Sequence, residues 1–440
     1  MAGLYLLQSL TLGITLLYLY RMALLFVPKS ASFWICAVFP FFLLNNLVYF
    51  QGGGSAEELL LPCFMGGLYY LCASFRNRSK GIPMEGRKES VQAGAFFSLG
   101  IFSGIVLAVK LNLTVFFIVG CGFLFFSFLL RKDWKLFFQA LWRYFAGILI
   151  AILPCIFYIA VTKSLSDFFE VYVKFNWMYS SPSANPSEVA TMLSVIQYVV
   201  LLNLAAVLCG LIGITVMAMK EKSLSKYGYF TFLCVYVFTF LAINISLREC
   251  SYMYIPLLCF TGLGEIGCGI LFAKIRRSVS GNMPRIKWIR IIQITAAISV
   301  SLLIILSNSL YRESNIFPRE QSGVERIANA IDHSWSTAGN KNAPSILLLN
   351  SGDLGFFGLT KSVPDLRVFY LPIINYDSYP ELLNDQIAYI TAGLPDFVIT
   401  IGYSAIDEKI VSSFNPDYVL LDYQTQTIEG TQWYMYLYSK

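Results

Sequence analysis

Residues 51–63 read QGGGSAEELLLPC, with three glycines and two adjacent carboxylates, Glu57 and Glu58, lying between two strongly apolar runs. A carboxylate beside hydrocarbon is costly, so it faces water, a partner or a site. The flanking chain says whether hydrocarbon is present. Of 440 residues, 57% are hydrophobic, 16% aromatic and only 13% charged, and the mean hydropathy is +0.63. A soluble domain carries about 25% charged residues. That deficit, with the long apolar runs, places the chain in the membrane class.

Working outward, the length rule for membrane helices predicts about ten spans. They fall at 4–27, 33–50, 59–75, 93–109, 113–130, 144–161, 192–219, 229–246, 252–272 and 291–310. The loops between them alternate in charge. One set holds Arg76, Arg78, Lys80, Arg87 and Lys88, then Arg131, Lys132, Lys135 and Arg143, then Lys220, Lys222 and Lys226, then Lys274, Arg276, Arg277, Arg285, Lys287 and Arg290. The other set carries only Lys110, Lys163, Lys174 and Arg248 as basic residues. The basic set is expected on the cytoplasmic side of a plasma membrane. This weave puts QGGGSAEE, Met1 and everything after Tyr311 outside.

From Arg312 onward the charge reverses, with 8 Lys+Arg against 15 Asp+Glu, leaving 24 against 11 before it. The asymmetry is one of location, and no basic patch for nucleic acid is present. The hydrophobic period changes as well. SGVERIANAIDH reads as an amphipathic helix and PELLNDQIAYITAG as a helix with a glycine stop, while SILLLN, RVFYLP, DFVITI and DYVLLDY read as strands. The final WYMYLYS alternates like an edge strand. Two domains are expected: a multi-span membrane domain over 1–311 and a small extracytoplasmic α/β domain over 312–440. All ten cysteines lie at or before Cys268, so no disulfide framework is implied for the second domain. His333 is the sole histidine, which disfavours histidine metal sites and Ser-His-Asp chemistry. It reads as a surface residue near a helix end.

Several residues of the sparsely charged loops could bind substrate. Glu57 and Glu58 could hold a divalent cation such as Mg or Mn through their oxygens, and the cation could hold a phosphate. They could equally be solvated acids at a helix N-terminus, and spacing alone favours that reading. Lys110 and Asn112 share the short turn VKLNLT. Arg248 lies in the turn SLRECSYMY with Tyr252, and its planar fork suits a phosphate oxyanion. A snorkelling side chain is the more common outcome for such an arginine. Asn176 and Tyr179 of VKFNWMYS lie in a longer outer loop, where aromatics either stack on a sugar or form an interfacial belt. NSGDLGFFG matches neither nucleotide fingerprint and reads as a structural turn.

GGGSAEELLLPC resembles the GG-x-x-x-EE-x-x-LP block of bacterial membrane glycosyltransferases of the GT-C superfamily, relatives of protein O-mannosyltransferases and of the lipid A aminoarabinose transferase. GLYLLQSLTLGITLLYLYRMA resembles the span that precedes this block, KLNLT a basic turn with an asparagine, and VYVKFNWMYS an outer-loop motif ending in Asn-x-x-Tyr. The tail, with its Gly-Asp-x-Gly-Phe turn and DFVIT, resembles the family's outer α/β domain. The resemblance implies inverting transfer of a sugar from a polyprenyl-phosphate donor to a glycan, lipid or protein acceptor on the outer face. Glu57 or Glu58 would match the second acidic position, which contacts metal or substrate, and Arg248 or Lys110 would hold the leaving phosphate. The family's catalytic aspartate lies in a first outer loop ahead of the stretch matched here, so the usual base is expected to be missing from these residues. ECSYMYIP replaces the family's Tyr-x-His-Tyr pattern.

The expectation is a polytopic α-helical, GT-C-like membrane glycosyltransferase. Two rivals stand beside it. One is a transporter or flippase of lipid-linked sugars, which would place polar features near mid-membrane. The other is a non-catalytic envelope assembly protein.

Overall fold

The structure is a computed structural model. It describes residues 2–44, 55–76, 90–175, 204–220, 225–244, 251–279, 322–340, 342–349, 355–360, 380–402, 409–428 and 431–440, with single positions between 362 and 369. The chain falls into two compact units, Met1–Ile316 and Phe317–Lys440.

The first unit is helical: α1 (Ala2–Ala23), α2 (Lys29–Leu44), α3 (Ala56–Leu59), α4 (Leu61–Phe75), α5 (Ser90–Val109), α6 (Val115–Leu130), α7 (Trp134–Thr162), α8 (Leu204–Thr215), α9 (Lys226–Asn244) and α10 (Ile255–Val279). Pro62 separates α3 from α4. It has no N–H to return to Glu58, so the ladder breaks at Leu60. The carbonyl of Leu60 then restarts the helix, accepting from Cys63 N at 2.9 Å and Phe64 N at 3.2 Å. Helix α4 is central. Leu61, Phe64, Met65, Leu68, Leu71 and Cys72 are all buried, against α1, α5, α6, α9 and α10.

Helix α7 shows the opposite character. Trp142, Phe145, Leu149, Leu153 and Phe157 are exposed. An apolar outer face is unremarkable where the solvent is lipid, because helix association there rests on close packing of small residues and not on hiding apolar surface. Gly100 on α5 and Gly147 on α7 supply that packing. A Cβ on Gly100 would overlap the carbonyl of Tyr144, and one on Gly147 the carbonyl of Phe97. The two helices meet backbone to backbone, and Tyr144 Oη donates to Ser103 Oγ at 2.8 Å beside the contact.

The expected ten spans are corrected in number. Among the described residues, four helical segments are long and apolar enough to cross a membrane: Leu6–Ala23, Leu111–Leu130, Trp134–Thr162 and Lys226–Asn244. Leu61–Phe75, Gly94–Val109, Val207–Ala218 and Ile255–Leu271 are apolar but shorter. The break at Leu60 shortens the expected span 59–75 at its start, and the expected spans 33–50 and 192–219 lie partly outside the described residues. The expected span at 291–310 lies outside the described residues.

The second unit comprises α11 (Gly323–Thr337), β1 (Ile346–Leu349), α12 (Gly355–Thr360), α13 (Glu381–Thr391), β2 (Phe397–Gly402), α14 (Ile410–Phe414), β3 (Val419–Ile428) and β4 (Thr431–Ser439). The sheet order is β1-β2-β4-β3. β1 and β2 are parallel, with Ile346 opposite Phe397; β4 is antiparallel to β2 and to β3. Strand alternation divides the core in two. Ile346, Leu348, Ile399 and Leu437 pack with Ile327 and Ile331 of α11. Leu347, Leu349, Val398, Tyr436 and Tyr438 pack with Ile390 of α13 and Val411 of α14. Helix α11 starts with a capping box, Ser322 and Glu325 each bonding the other's backbone N–H. His333 is exposed near its end.

WYMYLYS is corrected from edge to interior: β4 pairs on both sides, and β3 is the edge. Its alternating residues are tyrosines on one face and Met435 and Leu437 on the other, and both faces are buried. Alternation of large residues with large residues marks two covered faces, not a solvated one. RVFYLP falls largely outside the described residues, as do Asn350 and 351–354 of the glycine turn.

Candidate functional site

Ser55 caps α3. Its Oγ accepts from Glu58 N at 3.2 Å, which fixes Glu57 and Glu58 in the first turn. The cap geometry read from spacing is present, but the acids are not solvated: Glu57 is 1% and Glu58 7% exposed. Successive helical residues point about 100° apart, so the two carboxylates diverge. Glu57 Oε1 pairs with Lys110 Nζ, at the end of α5. Glu58 Oε2 accepts from Gln8 Nε2 of α1 at 3.2 Å. Burial requires such partners, because an isolated carboxylate out of water is far more costly than a paired one.

Lys110 opens a 3₁₀ turn, Leu111–Thr114, that leads into α6. Within it Asn112 Nδ2 donates to Ala242 O of α9 at 3.1 Å. Two residues on, Asn244 accepts from the hydroxyl of Tyr254, at the start of α10, and donates to Phe240 O at 2.7 Å. Tyr172, in a π-helical stretch Phe168–Phe175, donates to Leu107 O. These contacts gather the start of α1, all of α3, the end of α5, the end of α9 and the start of α10 at one end of the helical unit. The result is a polar cluster over an apolar bundle.

The structure thus brings together Glu57, Glu58, Lys110 and, through α9, Asn112. Tyr252 lies in the turn Ser251–Tyr254 that precedes α10, and its side chain is outside the described residues. Asn176, Tyr179 and Arg248 also lie outside them, as do the glycines 52–54. Among the described residues, no group of three or more His, Cys, Asp or Glu side chains is gathered as metal ligands.

Two residues were missed by sequence reasoning. Gln8 was hidden in the first apolar run, where it stands with Ser9, Thr11 and Thr15 as one of several uncharged polar residues. Glu265, in TGLGEIGCG of α10, is 7% exposed, and neither carboxyl oxygen has a hydrogen-bond partner among the described residues. It lies ten residues past Ile255, or about 15 Å along the helix, well below the polar cluster.

No family model and no curated protein sequence matches the chain. Among the solved structures that resemble it are two membrane proteins. ArnT from Cupriavidus metallidurans, crystallised with undecaprenyl phosphate, superposes with a TM-score of 0.53 at 11% identity, covering 99% of this chain and 83% of that one. The oligosaccharyltransferase AglB from Archaeoglobus fulgidus, in complex with an inhibitory peptide and a dolichol-phosphate, gives 0.41 at 12% identity over 97% and 62%. The ArnT likeness shows the fold alone: a polytopic α-helical membrane fold with a small C-terminal α/β domain.

Proposed function

We propose that this chain is an integral-membrane glycosyltransferase that moves a sugar from a polyprenyl-phosphate donor to a cell-envelope glycan, lipid or protein on the outer face of the plasma membrane. The observation that carries the reading is the pairing of buried Glu57 with Lys110 at the polar end of a GT-C-type bundle. A lipid-linked donor has an apolar tail and an anionic head, so it needs charge at the edge of an apolar wall. Lys110, with Arg248 of the turn SLRECSYMY, would hold the phosphate that leaves. Glu57 would position Lys110, and Glu58 would line the sugar side of the site. Asn176, Tyr179 and Tyr252 remain the sugar-contacting residues of the proposal. A Mg or Mn ion at the two glutamates would have to displace Lys110 and Gln8, and transfer measured with and without chelator tests that part.

The test of the whole is sugar transfer by the purified protein in lipid, using polyprenyl-phosphate sugars and an envelope extract as acceptor. Transfer lost in Glu58→Gln and Lys110→Met, with unchanged melting, supports the enzyme. Transfer unchanged in both removes this site. One observation favours the transporter reading: Glu265 is a buried carboxyl deep in a membrane helix, where transporters place polar groups. Flux of a lipid-linked sugar across vesicles without transfer would decide for it.

A further inference from the structure

Glu57 and Lys110 are unequal partners. Glu57 sits on a four-residue helix pinned by Ser55 at its start and by the Leu60–Pro62 break at its end. Its carboxylate is 1% exposed and cannot follow a ligand. Lys110 is 21% exposed along its side chain and carries its ammonium on a flexible four-carbon stem. An anion arriving at this end of the bundle therefore meets the lysine, and meets it already bound to a fixed carboxylate.

We infer that Glu57 and the phosphate of a lipid-phosphate ligand compete for Lys110, so that Glu57 weakens phosphate binding and speeds its release. The inference rests on the function proposed above. Sugar transfer from a phosphodiester leaves a phosphomonoester, an anion of higher charge. A cation that held it without opposition would retain it. The fixed carboxylate offers Lys110 another partner at once, in a setting of low dielectric where charge contacts count for more than in water. The same competition holds for any phosphate monoester, lipid-bound or free.

The experiment measures undecaprenyl phosphate binding to the full chain in lipid nanodiscs, for wild type, Glu57→Gln, Lys110→Met and the double variant. Glu57→Gln is expected to tighten binding about tenfold, and Lys110→Met to weaken it about tenfold, each the size of a ~1.4 kcal/mol contact. The double variant is expected to match Lys110→Met, because Glu57 has nothing to compete for once the ammonium is gone. Inorganic phosphate is titrated against the bound lipid. If it displaces the lipid at equal concentration, the site recognises phosphate alone, and the lipid-phosphate part of the inference is overturned; if it does not, the lipid headgroup is the ligand. Equal binding by wild type and Lys110→Met overturns the functional site itself. Loss in Lys110→Met with no tightening in Glu57→Gln leaves that site standing and overturns the competition. Tightening that persists in the double variant overturns it too, as a general effect of removing negative charge.

Discussion

Gln8 Nε2 donates to Glu58 Oε2 at 3.2 Å across fifty residues of chain, tying the first turns of α1 to α3. A hydrogen bond to a charged group contributes about 1.5–3 kcal/mol, and a buried carboxylate deprived of it loses solvation that water does not restore. Gln8→Ala is expected to lower the melting temperature in detergent, and Gln8→Glu to lower it further by setting two carboxylates together. An unchanged melt in both would show that α1 is held to α3 by packing alone.

The contact of α5 with α7 leaves no room for a side chain. Gly147→Val is expected to cost about 1–3 kcal/mol or more, the range for overpacking a filled interior. Tyr144→Phe, which keeps the ring and removes the hydroxyl with its bonds to Ser103 and Cys121, is expected to cost about 1 kcal/mol. Thermal unfolding of the purified variants orders them, and a Gly147→Val protein as stable as wild type would refute the backbone contact.

Glu265 offers a substitution expected to stabilise. Its carboxyl oxygens have no partner among the described residues, and a buried polar group left unsatisfied costs about 1–3 kcal/mol. Glu265→Met keeps most of the volume and removes the polar atoms, so the melt should rise. If the melt falls instead, the carboxyl is satisfied by something bound there.

The second unit carries an alkaline limit. Burial, then the nearby carboxylates of Asp396 and Asp417, push the Tyr418 phenol from 10.0 up to about 12, and its hydroxyl donates to Pro395 O at 2.5 Å. The folded state holds the proton more tightly than the unfolded one. The associated stability is therefore complete below pH 10 and lost as the pH rises toward 12. Stability of the full chain should fall across that window, and less steeply in Tyr418→Phe. Parallel curves for the two proteins would reject the assignment.

Much of this was legible in the residues. The amphipathic helix SGVERIANAIDH, the strands SILLLN and DFVITI and the helix after Pro380 follow from hydrophobic period and the glycine stop, which are local signals. Membrane character followed from composition, but the break at Leu60 did not, because hydropathy is blind to it. β4 was misplaced because alternation reports two faces without saying what covers them. At the site, Glu57, Glu58 and Lys110 stood out as charges among apolar residues. Their pairing did not, since Lys110 lies 53 residues beyond Glu57 and only the packing of α3 near the end of α5 brings them together. Gln8 carries no charge and was passed over within a helix that reads as mostly apolar.

The register of β3 against β4 slips between Leu420 and Asp422, so that one residue of the outer strand, Leu421, faces no partner. β3 is also the free edge on that side of the sheet, and Val419, Leu421 and Tyr423 are exposed along it. An unbroken strand of that composition would invite an identical neighbour to extend the sheet, and proteins crowded on one membrane surface meet identical neighbours often. The extra residue bends and twists the edge, so a second copy could add its own strand only by matching the fault. A single inserted residue thereby makes this edge a poor template for a second copy of the strand.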